Sequence, residues 1–306
     1  MQHKRHVPAA RAEEAASRQT WRQHGLVVDG ADVGVSSDGV VDDDALDLLR
    51  LDVLDDGVAH ARQVLPTALL RDVLDVVERV DAAGWPRVFA YVDDRLWHLL
   101  RTPALRQVLS TVLSSTPQQL PGLWVHQTSP GGRGWEPHVD VAGPPTDVDG
   151  GVDRLTVWLP LTSATTETGC MMTVPGSHRQ PLAQAFDLAG DVPLDDVIRL
   201  FHGARAHPAE PGDVLLWRFQ TVHWGAAASR DAAHPRVSLS LEAGHPAVPA
   251  HDDVQPTWSW GAWPSFETRL FLIGRSLCVY GKDGHREPTA SRFVAVGEAL
   301  CQMFGS

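Results

Sequence analysis

The chain has 306 residues, a hydrophobic fraction of 43% and a formal net charge of −12 at pH 7. That apolar content suffices for a sizeable core. The acidic balance argues against a nucleic-acid partner, which reads basic, and leaves neutral or cationic small molecules. No run approaches the roughly 20 apolar residues of a membrane span. Three cysteines without a paired spacing indicate a reducing, cytoplasmic setting.

Residues 1–20 are polar, charged and rich in alanine, and read as a flexible arm or a short surface helix. Lys4, Arg5 and Arg11 precede no apolar run, so a secretory signal is not expected. Asp42-Asp43-Asp44 followed by a leucine-rich run to Leu54 predicts a helix with an acidic first turn, the sign its dipole favours. Leu69, Leu70, Val73, Leu74, Val76, Val77 and Val80 carry helical spacing, bounded by Gly84-Trp85-Pro86. A second helical pattern covers Leu96 to Leu113, restarted at Pro103.

From Leu123 the pattern changes to short apolar runs punctuated by Gly and Pro. Leu123–Thr128, Leu155–Leu161, Met171–Val174, Asp213–Trp217 and Arg236–Glu242 predict strands. Leu155, Val157 and Leu159 alternate with Thr156 and Trp158, giving one core face and one face for another use. Near the C-terminus a strand is expected at Leu270–Ile273 and a helix around Phe293–Met303. The layout is α+β, with supporting helices first and a β-rich core at about residues 121–245. Residues 21–306 read as a single domain. Oligomeric state stays open.

The chemistry concentrates in His138-Val139-Asp140, answered downstream by His223 and then Arg236. On a strand, residues i and i+2 share a face, so His138 and Asp140 project together and Val139 packs behind. Two imidazoles and one carboxylate on one face suit a non-haem Fe(II) centre with open positions for cosubstrate and O₂. The same three ligands also serve catalytic zinc in a hydrolase or isomerase. A barrel used only to bind a small molecule is a third possibility. Of the downstream histidines, His223 stands six residues past the run ending at Trp217, where a returning strand can carry it back; His178 is its competitor.

Several blocks surround these residues in order: Gly134-Trp135-Glu136-Pro137, Leu155–Leu161, Gly169 to His178 with Pro175-Gly176-Ser177-His178, and Pro211-Gly212-Asp213 to Trp217. Together they resemble the phytanoyl-CoA dioxygenase family of Fe(II)/2-oxoglutarate oxygenases. The specific match covers about residues 121–242, with a looser one reaching back to Asp55-Asp56-Gly57. The resemblance implies a double-stranded β-helix of the jelly-roll, cupin-like type. It also implies Fe(II) held by His138, Asp140 and His223, with 2-oxoglutarate and O₂ as cosubstrates. The Pro-Gly-Ser-His segment is a turn in that family, which sets His178 aside as a ligand.

The family places an arginine about one strand after the distal histidine, here Arg236, whose planar fork suits a carboxylate; Arg230 is the alternative. Ser238 shares the face of Arg236 and is expected to add a hydrogen bond. Trp158 matches a tryptophan lying against the cosubstrate, and Gln127 and Thr173 are weaker candidates for the barrel interior. The implied reaction is hydroxylation of a small molecule, with 2-oxoglutarate converted to succinate and CO₂. Asp140 fills the position that halogenating relatives leave for chloride. Trp258, Trp260 and Trp263 read equally as a lid or as core, and the Gln180–Pro211 insertion is a natural place for substrate contacts.

Overall fold

A computed structural model describes residues 3–30, 41–141, 143–180, 193–247, 258–260, 262–281 and 288–305. The helices are α1 (His3–Ala16), α2 (Arg18–Gln23), α3 (Asp43–Asp55), α4 (Thr67–Ala82), α5 (Asp94–Leu100) and α6 (Pro103–Leu113), followed by α7 (Leu194–Phe201), α8 (Phe266–Tyr280), α9 (Pro288–Ser291) and α10 (Val294–Phe304). The strands of the two main sheets are β1 (Val58–Ala61), β2 (Gln118–Thr128), β3 (Trp135–His138), β6 (Arg154–Pro160), β7 (Met171–Thr173), β8 (Arg205–His207), β9 (Val214–Arg218), β10 (His223–Gly225), β11 (Arg236–Gly244) and β12 (Trp258–Ser259). A two-residue hairpin, β4 (Asp147–Val148) with β5 (Gly151–Val152), stands apart from them.

The larger sheet has strand order β1-β9-β6-β11-β2-β12 and the smaller β3-β10-β7-β8, with every pairing antiparallel. This is the double-stranded β-helix, an α+β fold with its helices banked against the large sheet. Alternation does the sorting. On β6, Leu155, Val157 and Leu159 join the helix-side core, and Val237, Leu239, Leu241 and Ala243 do the same on β11. Their neighbours Trp158, Leu215 and Trp217 turn inward, where they meet Met171 of the small sheet. Each strand thus supports the core with one face and offers the other to the barrel interior.

The helices follow simple local signals. Asp42 caps α3 by accepting from the Ala45 amide, and Pro103 opens α6 at a position where its missing N–H costs nothing. Two expectations need correction. Leu270–Ile273 is helical, within α8: Ser265 caps its start, and Phe266, Leu270, Ile273 and Leu277 are buried with a helical period. A four-residue apolar run fits strand or helix equally, and the longer repeat decides. The N-terminal segment is not a loose arm either. Ala12 and Ala15 of α1 are buried in the core, because alanines on one helix face allow close packing against α10.

One buried ion pair ties these helices together. Arg269 on α8 meets Asp94 Oδ1 at 2.6 Å and also donates to the Val92 carbonyl at 2.8 Å. The other Asp94 oxygen accepts from the amides of Asp29 and Gly30. Both side chains are buried. Arg269→Ala strands the Asp94 carboxylate in the interior, with an expected loss of roughly 3–5 kcal/mol, read as a lower urea midpoint at unchanged slope.

Candidate metal centre

His138 ends β3 and His223 begins β10, and these residues face each other across the antiparallel pair. Asp140 lies just past β3, its amide bonded to the Phe219 carbonyl. Val139 points the opposite way, buried with Val174, Leu200 and Val222. The result is a cluster in which Nε2 of His138 and Nε2 of His223 lie 3.7 and 3.6 Å from Oδ1 of Asp140. Among the described residues this is the group of three such side chains with metal-holding geometry.

Their second contacts orient them. Nδ1 of His138 is 2.8 Å from the Glu136 carbonyl and Nδ1 of His223 is 2.9 Å from the Thr221 carbonyl. A carbonyl only accepts, so each Nδ1 carries the proton and each Nε2 keeps its lone pair. Thr156 donates to Oδ2 of Asp140 at 2.6 Å and Trp217 Nε1 does so at 3.1 Å. One carboxylate oxygen is thus held in place while the other faces the imidazoles. Sequence patterning put Thr156 on the inward face but gave no sign of this contact.

Arg236 lines the same pocket. It is almost fully buried, donates to Thr128 Oγ1 at 2.6 Å, and stands 5.9 Å from the Trp158 ring centre. Burial pulls its pKa down to about 10, which leaves it cationic at neutral pH. Three buried polar atoms around it, Arg236 Nε, Ser238 Oγ and Trp158 Nε1, have no hydrogen-bond partner among the described residues. Buried polar groups are normally satisfied, and an acceptor with several lone pairs, such as a carboxylate, matches these three donors.

The remaining sequence candidates fare differently. Gln127 shares the parity of Leu123 and Val125, the helix side of β2, so His126 faces the pocket in its place. Thr173 is fully buried, and its hydroxyl is engaged by His207 at 2.8 Å. His178 is buried behind Gly57 and Thr221, away from the cluster. Of the tryptophans read equally as lid or core, Trp260 is core, beside Arg101, and Trp263 packs edge-on to His98; neither lines the pocket. Residues 181–192 of the insertion lie outside the described residues. Sequence reading missed His126, Met171, Ser240, Glu242 and Tyr280, which complete the pocket wall. A wider cleft of about 540 Å³ shares that wall.

Burial holds the pKa of His178, His207 and His223 down to about 4, against 6.5 for the free side chain. The unfolded chain therefore takes up protons on these residues before the folded one does. Their contribution to stability is complete above pH 6.5 and is lost as pH falls towards 4. Urea midpoints measured across this window are expected to fall steadily, with the steepest loss between these two values.

A jelly-roll barrel presenting two histidines and a carboxylate on one face defines the class of cupin-like metalloproteins with open coordination positions. A family model described as phytanoyl-CoA dioxygenase (PhyH) matches residues 71–236, and the chain belongs to that family. Among solved structures it is similar to the epimerase SnoN in complex with Fe³⁺, alpha ketoglutarate and nogalamycin RO, at 22% identity over 70% of this chain and 95% of that one, TM-score 0.53. It is also similar to the alpha ketoglutarate dependent carbocyclase SnoK (20% identity, 70% and 87% coverage, TM-score 0.52). A third is HygX from Streptomyces hygroscopicus with nickel and 2-oxoglutarate bound (15% identity, 68% and 88% coverage, TM-score 0.52). At such identities the likeness is one of fold. No curated protein matches the sequence.

Proposed function

We propose that the protein is an Fe(II)- and 2-oxoglutarate-dependent dioxygenase that hydroxylates a small molecule in the cytoplasm, releasing succinate and CO₂. The observation that carries this is the pairing of one metal cluster with one buried, carboxylate-deprived arginine in the same pocket. His138, Asp140 and His223 would hold the metal through Nε2, Oδ1 and Nε2. Arg236 would receive the distal carboxylate of 2-oxoglutarate, with Ser238 and Trp158 supplying further donors. Fe(II), when bound, supplies O₂ activation coupled to decarboxylation of the cosubstrate.

The chain's own part is to hold and orient. Thr156 and Trp217 hold Oδ2 of Asp140, so Oδ1 would be the oxygen offered to the metal. Trp135, Trp158 and Tyr280 give the pocket aromatic walls. A zinc hydrolase would have no use for Arg236 and its unsatisfied neighbours. SnoN and SnoK bear the names epimerase and carbocyclase, so the same scaffold accommodates outcomes other than hydroxyl transfer. Asp140 fills the carboxylate position and so speaks against halogenation. Hydroxylation is our reading among the outcomes that share this ligand set, and a product heavier than substrate by one oxygen is its test. Anaerobic addition of Fe(II) and 2-oxoglutarate to metal-free protein is expected to produce a weak visible charge-transfer band that neither gives alone. Folded protein that shows no band with both would exclude this function.

A further inference from the structure

On β11 the inward side chains run Arg236, Ser238, Ser240, Glu242. Glu242 lies at the point where the register between β11 and β2 slips, between Leu241 and Ala243. Its carboxyl occupies the room left by Gly122: a Cβ there would stand 2.1 Å from Cδ and Oε1 of Glu242. The Gly122 amide donates a hydrogen bond to it. The half-buried carboxyl lines both the metal pocket and the adjoining cleft. The slip and the missing side chain together aim an acid at the space where a substrate must sit.

Aromatic rings flank it. Trp135 and Tyr280 meet at 6.3 Å and 71°, and His126 stands edge-on to Trp135 at 5.5 Å. Arg154 and Arg275 line the cleft too and draw the carboxyl pKa down, yet burial and the nearby Asp140 outweigh them and leave it at about 7. A cation seated against Glu242 would favour its charged form, which burial otherwise opposes. A carboxylate beside aromatic faces attracts an organic cation through both its charge and the ring quadrupoles.

We propose that Glu242 is a substrate-recognition residue, and that the substrate carries a protonated amine seated against Glu242, Trp135 and Tyr280. This inference rests on the oxygenase function proposed above. The test is calorimetry on the full chain loaded anaerobically with Fe(II) and 2-oxoglutarate. The probes are phenethylammonium and its neutral counterpart of similar size, phenethyl alcohol. Wild type is expected to prefer the ammonium roughly tenfold or more. Glu242→Gln removes that preference, and Gly122→Ala, which displaces the carboxyl, removes it by an independent route. Equal binding of both probes by wild type, no binding of either, or a preference retained by a natively folded Glu242→Gln overturns the proposal. The charge-transfer band of the wild-type sample separates the two questions. If the band is missing, the oxygenase function fails, and the ammonium preference is then judged on the metal-free protein.

Discussion

Asp140→Ala is expected to abolish the Fe(II)/2-oxoglutarate charge-transfer band and substrate-dependent succinate release together. Oδ1 of Asp140 is the oxygen that faces both imidazoles, and Oδ2 is already committed to Thr156 and Trp217. Truncation leaves two neutral nitrogens and no charge to balance a divalent metal. It also leaves the Trp217 Nε1–H and the Thr156 hydroxyl without their acceptor. Loss of an outer partner of a metal ligand costs roughly 10–100-fold in affinity or activity. Removal of the ligand itself must exceed that, whereas Thr156→Val should fall within it. His223→Ala is expected to match Asp140→Ala, because His223 is the buried corner of the cluster. Atomic absorption on the purified variants, read beside the visible band, separates lost metal from lost cosubstrate. An Asp140→Ala variant that keeps both the band and full turnover would remove the carboxylate from the assigned set.

Arg236→Met is expected to act in opposite directions on activity and stability. The guanidinium is buried with one hydroxyl partner and a methionine sulfur nearby, and among the described residues no carboxylate pairs with it. An uncompensated buried charge is a burden on the fold, and replacing such groups with apolar side chains of similar volume is often stabilising. The metal-free variant should therefore unfold at a urea midpoint equal to or above that of wild type. The same change removes one partner of a buried charge pair in the cosubstrate complex, a loss of roughly 2–5 kcal/mol. The 2-oxoglutarate concentration for half-maximal succinate release should rise at least roughly 30-fold. Arg236→Lys keeps the charge but loses the planar fork, and should fall between the two. If Arg236→Met leaves that concentration unchanged, the distal carboxylate sits elsewhere, and Arg154 and Arg275 in the cleft become the places to look. The combination of higher stability with lost cosubstrate binding is the mark of a residue kept for a ligand rather than for the fold.

Much of the site was legible because its signals are local. A His-x-Asp step needs only the two-residue period of a strand to place both side chains on one face. The alternation in β6 and β11 likewise assigns Thr156, Trp158, Arg236 and Ser238 to the inward side. The helices α4 and α6 announce themselves by apolar spacing over three or more turns. The failures share a cause. Four apolar residues at Leu270–Ile273 carry no period of their own. Gln127 was assigned the wrong face because its phase on β2 is set by pairing with β11, which residues 123–128 do not reveal. The alanines of α1 look like any polar surface helix until α10 is seen against them.

By itself, the amino-acid sequence determined the layout of helices before a β-rich core, the family, and the three side chains that come together with metal-holding geometry. Tertiary structure decided which polar groups are left wanting a partner and what surrounds them. Arg236 becomes informative once its isolation from the carboxylates of the described residues is visible. Glu242 and Tyr280 reach the pocket from a register slip on β11 and from the end of α8, two segments that no recognisable motif connects. Contacts of that kind depend on how distant elements pack, and no spacing along the chain encodes them.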